Sequence, residues 1–125
     1  MEIFFPDRKK VDVAAGSFVI HTDQSIVHGG DGTAPEPFDV FLASIGACVG
    51  VYVLGFCQAR SIDTRDVRIE ERPEYEDGVL KRVVLELQVP DDFPRKYVPA
   101  LQAAAEKCAV KRAFNAKPLI EIKVA

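Results

Sequence analysis

Apolar and polar residues alternate along several short segments, which is the pattern of half-buried β-strands. Three such segments open the chain, at residues 1–5, 9–13 and 17–22. Pro6 and the stretch Ala14-Ala15-Gly16 separate them. Residues 28–35, HGGDGTAP, are rich in glycine but lack the lysine of a phosphate-binding loop. The first part of the chain is therefore predicted to be a small sheet followed by a flexible connector.

The same alternation returns after the middle of the chain. Residues 67–75 and 81–89 predict two strands, and Glu76-Asp77-Gly78 predicts the tight turn of a hairpin between them. The second strand is expected to have one buried face, because its alternate residues are Val83, Leu85, Leu87 and Val89. Residues 119–124 predict a last strand, whose alternate apolar residues are Ile120, Ile122 and Val124.

The longest uncharged run in the chain predicts a central helix. It covers residues 40–59, VFLASIGACVGVYVLGFCQA. Pro37 suits the first helical position, and Asp39 lies in the first turn, where a carboxylate meets unsatisfied amides. Arg60 follows the run, where the end of a helix favours a cation. A long helix is therefore predicted to begin near Pro37.

A second helix is predicted at residues 94–115. Its stripe has helical spacings of three and four residues, at Val98, Leu101, Ala105, Cys108 and Arg112. Pro99 is tolerated if the first turn begins near Lys96, and otherwise it kinks the helix.

The uncharged run is also long enough to cross a membrane. Twenty helical residues span about 30 Å, the thickness of a bilayer core. Gly46 and Gly50 have the spacing at which membrane helices pack together. A spanning helix would, however, separate two sets of amphipathic strands, and pieces of about 40 residues seldom hold a core unaided. We therefore expect the central helix of a soluble domain, whose glycines allow close helix packing.

Composition limits the remaining possibilities. A chain of 125 residues is expected to form a single domain over residues 1–125. Sixteen basic and 19 acidic residues give a net charge of -3, which argues against binding to nucleic acid or anionic lipid. The start, MEIFFPDRKK, reverses the order of a secretory signal, so a cytoplasmic protein is expected. Three cysteines without a Cys-x-x-Cys pair suit neither a disulfide framework nor a zinc site.

Two of the cysteines belong to the central helix and differ in their surroundings. Cys48 and Cys57 are nine residues apart and point to opposite sides of the helix. Cys57 lies among Val, Leu and Phe and is interpreted as a core residue. Cys48 lies between Gly46 and Gly50, which leave access to its sulfur. Its apolar surroundings would raise its pKa unless a cation stabilises the thiolate.

The third cysteine, Cys108, lies in the second helical segment. Lys111 and Arg112 follow it by three and four residues and are expected to favour its thiolate. It also lies on the apolar stripe and is expected to face inward. Packing of the two helices could bring Cys48 and Cys108 together, although periodicity does not decide this.

Two segments resemble the motifs of the OsmC-like family, which includes the organic hydroperoxide resistance proteins. Residues 37–48, PFDVFLASIGAC, are similar to the family's central-helix motif, typically Pro-x-Glu-Leu-Leu-Leu-Ala-Ala-Leu-Gly-x-Cys. Residues 106–113, EKCAVKRA, are similar to its second motif, commonly Cys-Pro-Val-Ser-Arg and an apolar residue. With the order of strands and helices, the resemblance covers essentially the whole chain. It implies an α+β fold and an intertwined homodimer, in which antiparallel sheets from both chains wrap around long central helices.

The resemblance also implies an activity. As in the peroxidase members, Cys48 would be the thiolate that attacks the distal oxygen of a hydroperoxide, giving an alcohol and a sulfenic acid. Cys108 would then form a disulfide with Cys48, and a dithiol such as a reduced lipoyl group would open it again. The implied partners are a second copy of the chain, a small hydroperoxide and a dithiol, with no cofactor, metal, nucleic acid or membrane.

The family further uses a carboxylate near the helix start and an N-terminal arginine to activate the first cysteine. Asp39 stands where many members have glutamate. It is shorter and faces away from Cys48 on a straight helix, so it would act through a bridging arginine or serve only as a helix-start charge. Arg8 is the nearest candidate for that arginine; alternatively, Arg8-Lys9-Lys10 is a solvated strand end.

Two functions therefore stay open. The first is a cytoplasmic, thiol-dependent peroxidase that acts on organic hydroperoxides in the response to oxidative stress. The second is a non-catalytic OsmC-like dimer that binds a small apolar ligand at the subunit interface. Both motif cysteines favour the first, whereas the weak match at the N-terminal arginine and the presence of Asp39 in place of the family's glutamate favour the second.

Overall fold

The computed structural model describes all residues of the chain, Met1 to Ala125. It is an α+β structure with two antiparallel sheets and three α-helices. The elements are β1 (Glu2–Phe4), β2 (Val11–Ala15), β3 (Phe18–Thr22), α1 (Pro37–Gln58), β4 (Arg68–Glu76), β5 (Val79–Gln88), α2 (Val98–Ala105) and α3 (Ala109–Asn115). Short 3₁₀ turns lie at Ile26–His28 and Arg95–Tyr97. The chain divides into two compact units, Met1–Ala43 and Ser44–Ala125.

The first unit contains a three-stranded sheet in the order β1-β2-β3, with both pairs antiparallel. Val13 of β2 lies opposite Ile3 of β1 and opposite Ile20 of β3. The hydroxyl of Thr22 donates to the carbonyl of Val11 at 2.5 Å, which ties the end of β3 to β2. The three strands predicted at the start of the chain are confirmed.

The connector after β3 is organised around Asp23, whose side chain is fully buried. Its carboxylate accepts from the backbone amide of Gln24 at 2.8 Å and from the amide and hydroxyl of Thr33 at 3.1 and 2.8 Å. These bonds hold the pKa of Asp23 down at about 2. Gly30 has no room for a side chain, because a Cβ there would meet the Gln24 carbonyl. The predicted connector is therefore a loop folded on a buried anion.

In the second unit, one face of α1 is buried in the core. The helix begins at Pro37, as predicted, and its buried residues are Val49, Val53, Phe56 and Cys57. The core is completed by Phe93, Leu101, Ala105 and Cys108. Leu85, Leu87 and Val89 pack against it, which confirms the predicted buried face at these three positions. Val83, the fourth residue of that predicted face, is half-buried and lies outside this cluster. Cys57 has 0% of its surface exposed, so its interpretation as a core residue is confirmed.

The hairpin of β4 and β5 turns at Asp77 and Gly78. Both residues have positive φ angles, 51° and 74°, as a two-residue hairpin turn with the favoured twist requires. The pairing is antiparallel, with an irregularity between Glu74 and Tyr75. The predicted hairpin is confirmed.

Gly46 and Gly50 bring α1 close to strand β4. A Cβ at Gly46 would meet the carboxyl group of Glu71, and one at Gly50 would lie 3.9 Å from the Ile69 side chain. The glycines therefore allow close packing of the helix, as expected, but the element that faces them is a strand and not a second helix.

The predicted second helix is two helices. The chain leaves the helical conformation at Cys108, whose φ and ψ are -46° and 124°. The Cys108 sulfur accepts a hydrogen bond from the Lys111 amide at 3.4 Å and so caps α3, giving a partner to an amide that lacks one within the helix. Pro99 lies at the start of α2, where it needs no hydrogen-bonded amide.

The strand predicted at residues 119–124 is not formed. Its alternation is real, but a strand needs a neighbour to satisfy its amides and carbonyls, and the segment pairs with neither sheet. Ile120, Ile122 and Val124 are 83%, 92% and 97% exposed.

Helix α1 is long and apolar enough to cross a membrane by length and composition alone. A single helix of this kind is weak evidence, because the core helix of a soluble protein passes the same test.

Candidate functional site

Two of the three cysteines meet in the second unit. Cys48 comes from α1 and Cys108 from the first residue before α3, and their side chains are hydrogen-bonded to each other. Cys108 is fully buried, whereas Cys48 is partly exposed at the edge of the core. Helical periodicity did not decide whether Cys48 and Cys108 meet. They do, because the break between α2 and α3 turns the Cys108 side chain towards α1.

The surroundings of Cys48 favour its thiolate. The backbone amide of Val110 lowers the pKa of Cys48 most, followed by the thiol of Cys108 and the amide of Ala109. The positive charge of Arg112 acts in the same direction, and partial burial opposes it. Because these donors point at sulfur, the thiolate is solvated by the protein in a setting that water only partly reaches.

Cys108 behaves in the opposite way. Burial raises the pKa of its thiol, and the adjacent Cys48 raises it further, although the Lys111 amide opposes both. The expectation that Lys111 and Arg112 favour a Cys108 thiolate is therefore wrong. The Lys111 ammonium pairs with the Glu106 carboxylate. The pair is thus one activated thiol and one buried thiol that remains protonated.

The two other predicted site residues belong to the first unit. Asp39 lies in the first turn of α1, and its carboxylate accepts from the backbone amide of Glu36 at 3.3 Å. This is the contact of a helix-start charge, one of the two roles considered for it. The Arg8 guanidinium forms an ion pair with Asp31 at 3.2 Å. Their roles at Cys48 stay predictions.

Sequence reasoning missed Glu71, an acid on the inward face of β4. The backbone amide of Gly46 bonds its carboxyl group, while its Oε1 atom is buried without a hydrogen-bond partner. Burial raises the pKa of Glu71. The signal was present in the sequence, since Glu71 follows the apolar Val67 and Ile69 at intervals of two residues and so shares their face.

A serine, a histidine and a glutamate also meet in the first unit. The Nδ1 atom of His28 lies 2.7 Å from Glu36 and 3.1 Å from the Ser25 hydroxyl. A catalytic triad needs the serine and the acid on opposite ring nitrogens, so this cluster is not one. The hydrogen bonds of Glu36 to Ser25 and His28 hold its pKa at about 2.

A surface cleft of about 380 Å³ lies beside the end of α1. The Arg60 guanidinium stacks on the Phe56 ring, 3.8 Å from its centre, and the cleft contains neither Cys48 nor Cys108. Its lining is more polar than apolar and includes Asp63, Asp66 and Asp92. No three His, Cys, Asp or Glu side chains are grouped so as to hold a metal ion.

The fold and the site together define an α+β protein with an adjacent pair of unequal thiols. The model of the OsmC-like protein family matches residues 30–123, and the chain therefore belongs to this family. Proteins of this family are generally soluble, dimeric and redox-related. Among curated proteins, none matches the sequence.

Solved structures share the fold at low sequence identity. A candidate osmotic-stress-induced and detoxification-response protein from Psychrobacter arcticus 273-4 is 17% identical, with a TM-score of 0.69, over 90% of this chain and 85% of its own. An organic hydroperoxide resistance protein OsmC from Legionella pneumophila, also described as a predicted redox protein, is 22% identical, with a TM-score of 0.56, over 90% and 85%. A third structure, without a functional name, is 18% identical, with a TM-score of 0.71, over 92% and 88%.

Proposed function

We propose that this protein is a cysteine-dependent peroxidase that reduces organic hydroperoxides. The observation that supports the proposal is the asymmetry of the thiol pair: amides and Cys108 lower the pKa of Cys48, while burial raises the pKa of Cys108. A peroxidatic cysteine must be a thiolate, and a resolving cysteine must wait beside it as a thiol. Membership of the OsmC-like family and the name of the Legionella pneumophila relative agree with this role.

The proposed reaction has two steps at sulfur, after which a dithiol regenerates the thiols. The Cys48 thiolate attacks the distal oxygen of the hydroperoxide, so that an S–O bond forms, the O–O bond breaks, and the leaving alkoxide takes a proton to become the alcohol. Cys108 then loses its proton and attacks the sulfur of the Cys48 sulfenic acid. A disulfide forms and the hydroxyl group leaves as water. A dithiol such as a reduced lipoyl group returns both cysteines to thiols and becomes a disulfide itself.

Arg8 and Asp39 complete the proposed site. Arg8 is the proposed N-terminal cation of the family pattern, and Asp39 is the carboxylate that orients it. Because amides and Arg112 already lower the pKa of Cys48, loss of Arg8 should slow the enzyme less than loss of Cys48. An Arg8→Ala variant tests this by its rate of peroxide consumption.

The proposed working form is an intertwined homodimer in the cytoplasm, in which residues 1–125 of each copy act as one OsmC-like domain. Large apolar side chains left exposed on a single chain support it, among them Phe5, Phe18, Val51, Ile120 and Ile122. The unpaired apolar segment at the C-terminus supports it too, because a sheet edge of a second copy could supply its missing neighbour.

The test follows peroxide consumption and intact mass after the reduced protein meets an organic hydroperoxide. The wild-type protein should lose two hydrogens, consume peroxide catalytically when a dithiol is added, and show a disulfide between Cys48 and Cys108. Cys48→Ser should fall to background, and Cys108→Ser should stop at the sulfenic acid. Cys57→Ala is the matched control and should retain turnover, because Cys57 is closed off in the core. If the peroxide is not consumed and all thiols stay reduced, the proposed peroxidase activity is excluded.

The alternative function, a dimer that binds a small apolar ligand, is favoured by the exposed Val51 and Leu54 on α1. It predicts that an apolar fluorescent probe binds equally well to Cys48→Ser and to the wild-type protein, with no loss of peroxide.

A further inference from the structure

The first amides of helix α3 are hydrogen-bonded to sulfur atoms. The Cys108 sulfur accepts from the Lys111 amide at 3.4 Å. The Cys48 sulfur accepts from the amides of Ala109 and Val110. These are the first three amides of the helix, and amides in the first turn of a helix have no partner within it. The N-terminal end of α3 is therefore capped by the thiol pair.

Most of α3 lies on the surface. The helix has seven residues, and a helix of this length is not stable in water by itself. Six of the seven residues are exposed, whereas Val110 is partly buried and packs against the core of the second unit. The bonds to the two sulfur atoms therefore contribute a large share of what keeps α3 folded.

Oxidation of the thiol pair changes these bonds. In the reduced chain the lowered pKa of Cys48 favours a thiolate, and hydrogen bonds to a charged acceptor are about twice as strong as those to a neutral one. In a disulfide neither sulfur is charged. Joining the sulfurs also draws them together, which competes with the contact from Cys108 to the Lys111 amide.

We propose that α3 is a redox-sensitive element, which is folded onto the core while Cys48 and Cys108 are reduced and is released when they form a disulfide. Its oxidant is the hydroperoxide of the proposed function, on which this inference rests. In the overall reaction one S–S bond replaces two S–H bonds, the O–O bond breaks, and the peroxide becomes an alcohol and water. Residues 109–125 therefore differ in conformation between the two redox states, and Val110 leaves the core in the oxidised one.

Hydrogen exchange with rapid mixing, followed by mass spectrometry, tests this release. Diamide joins two thiols without peroxide, since it takes up their two protons and two electrons and becomes a hydrazine. The amides of residues 111–115 should exchange about tenfold faster in the disulfide form than in the reduced protein, as expected for the loss of a helix cap. Helix α2, on the other side of Cys108, is the internal control and should not change.

Variants of the cysteines separate loss of the cap from other effects of oxidation. Cys108→Ala has no side-chain acceptor, so its α3 should exchange rapidly with or without diamide. Cys108→Ser should stay protected in both conditions, because its hydroxyl caps the helix and forms no disulfide. Cys57→Ala is the matched control and should respond to diamide as the wild-type protein does.

Unchanged or slower exchange of α3 in the disulfide form would overturn the proposal, and so would failure of diamide to join Cys48 to Cys108. Faster exchange that extends to α2 and to the hairpin would overturn it as well, because it would indicate general unfolding.

The same measurement with an organic hydroperoxide keeps the two proposals apart. If diamide releases α3 but the hydroperoxide is not consumed, the release is supported and the peroxidase is contradicted. If the hydroperoxide is consumed but α3 keeps its protection, the peroxidase is supported and the release is contradicted.

Discussion

The thiol of Cys108 is hydrogen-bonded to the sulfur of Cys48, and the two groups have opposite pKa shifts. The same contact stabilises a thiolate at Cys48 and a thiol at Cys108, because the Cys108 thiol donates a hydrogen bond that the Cys48 thiolate accepts. Two thiols that ionise in sequence can therefore divide the roles of nucleophile and resolving group.

Chemical labelling should distinguish the three cysteines. The pKa of Cys48 is lowered, so its thiolate should persist to lower pH than an ordinary thiol and react first with iodoacetamide near neutral pH. Burial raises the pKa values of Cys57 and Cys108, so both should react only slowly. Peptide mass spectrometry after timed labelling measures the order. In urea all three should react alike, which serves as the control.

The hydrogen bond from Cys108 can be tested with two variants of nearly equal size. Cys108→Ala removes the donor, so the pKa of Cys48 should rise and its alkylation at neutral pH should slow. Cys108→Ser keeps a hydroxyl donor and should retain more of the shift. The pH profile of Cys48 alkylation gives both values. A Cys108→Ala profile identical to that of the wild-type protein would show that the thiol contact does not contribute.

The buried carboxyl of Glu71 should make the protein less stable as pH rises. Its folded pKa lies above the ordinary value of 4.5. Above pH 4.5 the unfolded chain therefore releases a proton that the folded chain keeps, and stability falls until the pH passes the folded pKa. Glu71→Gln should lose this slope, as measured by urea unfolding between about pH 4 and 8.

A second substitution at Glu71 measures how much its buried oxygen destabilises the folded protein. Glu71→Leu removes an oxygen that is buried without a partner and should raise the free energy of unfolding by about 1 kcal/mol at neutral pH. Glu76→Gln, on the exposed end of the same strand, is the control and should change neither the slope nor the stability.

The buried anion at Asp23 should have the opposite pH dependence. Its pKa is about 2 in the folded chain and near 3.8 when unfolded, so its contribution is present above about pH 4 and is lost as pH falls towards 2. Asp23→Asn should make the Tm less dependent on pH over this acid range, as measured by thermal unfolding at a series of pH values. It should also expose the loop at Thr33 to proteolysis, because the amide cannot accept all the bonds that the carboxylate receives. Wild-type acid sensitivity in the variant would contradict this account.

The C-terminal segment offers a test of the proposed dimer. Ile122→Asp places a charge on a side chain that is 92% exposed in one chain but is proposed to contact a second copy. Dimer affinity should fall by about tenfold or more, since a buried charge without a partner is costly. Analytical ultracentrifugation measures it. Lys123→Asp, on the other face of the segment, is the control and should leave the dimer intact.

The sequence was sufficient for the main elements of this fold. Alternation predicted the first three strands and the hairpin because each has a local signature in side-chain period and turn residues. Pro37 and Asp39 predicted the start of α1, and the apolar neighbours of Cys57 predicted its burial, since both depend on residues within the same helix. The motifs around Cys48 and Cys108 led to the OsmC-like family, which the family match confirmed.

Tertiary structure decided what depends on contacts between distant segments. The break at Cys108 arises because capping of α3 by the Cys108 sulfur competes with a continuous helix. Helical periodicity is the same on both sides of the break and so does not reveal it. The lowered pKa of Cys48 comes from amides about sixty residues away in the chain, so no local pattern could indicate it. Strand pairing likewise needs a neighbour, and residues 119–124 alternate as a strand does yet remain unpaired within one chain. The sequence identified the two thiols; only their packing made them unequal.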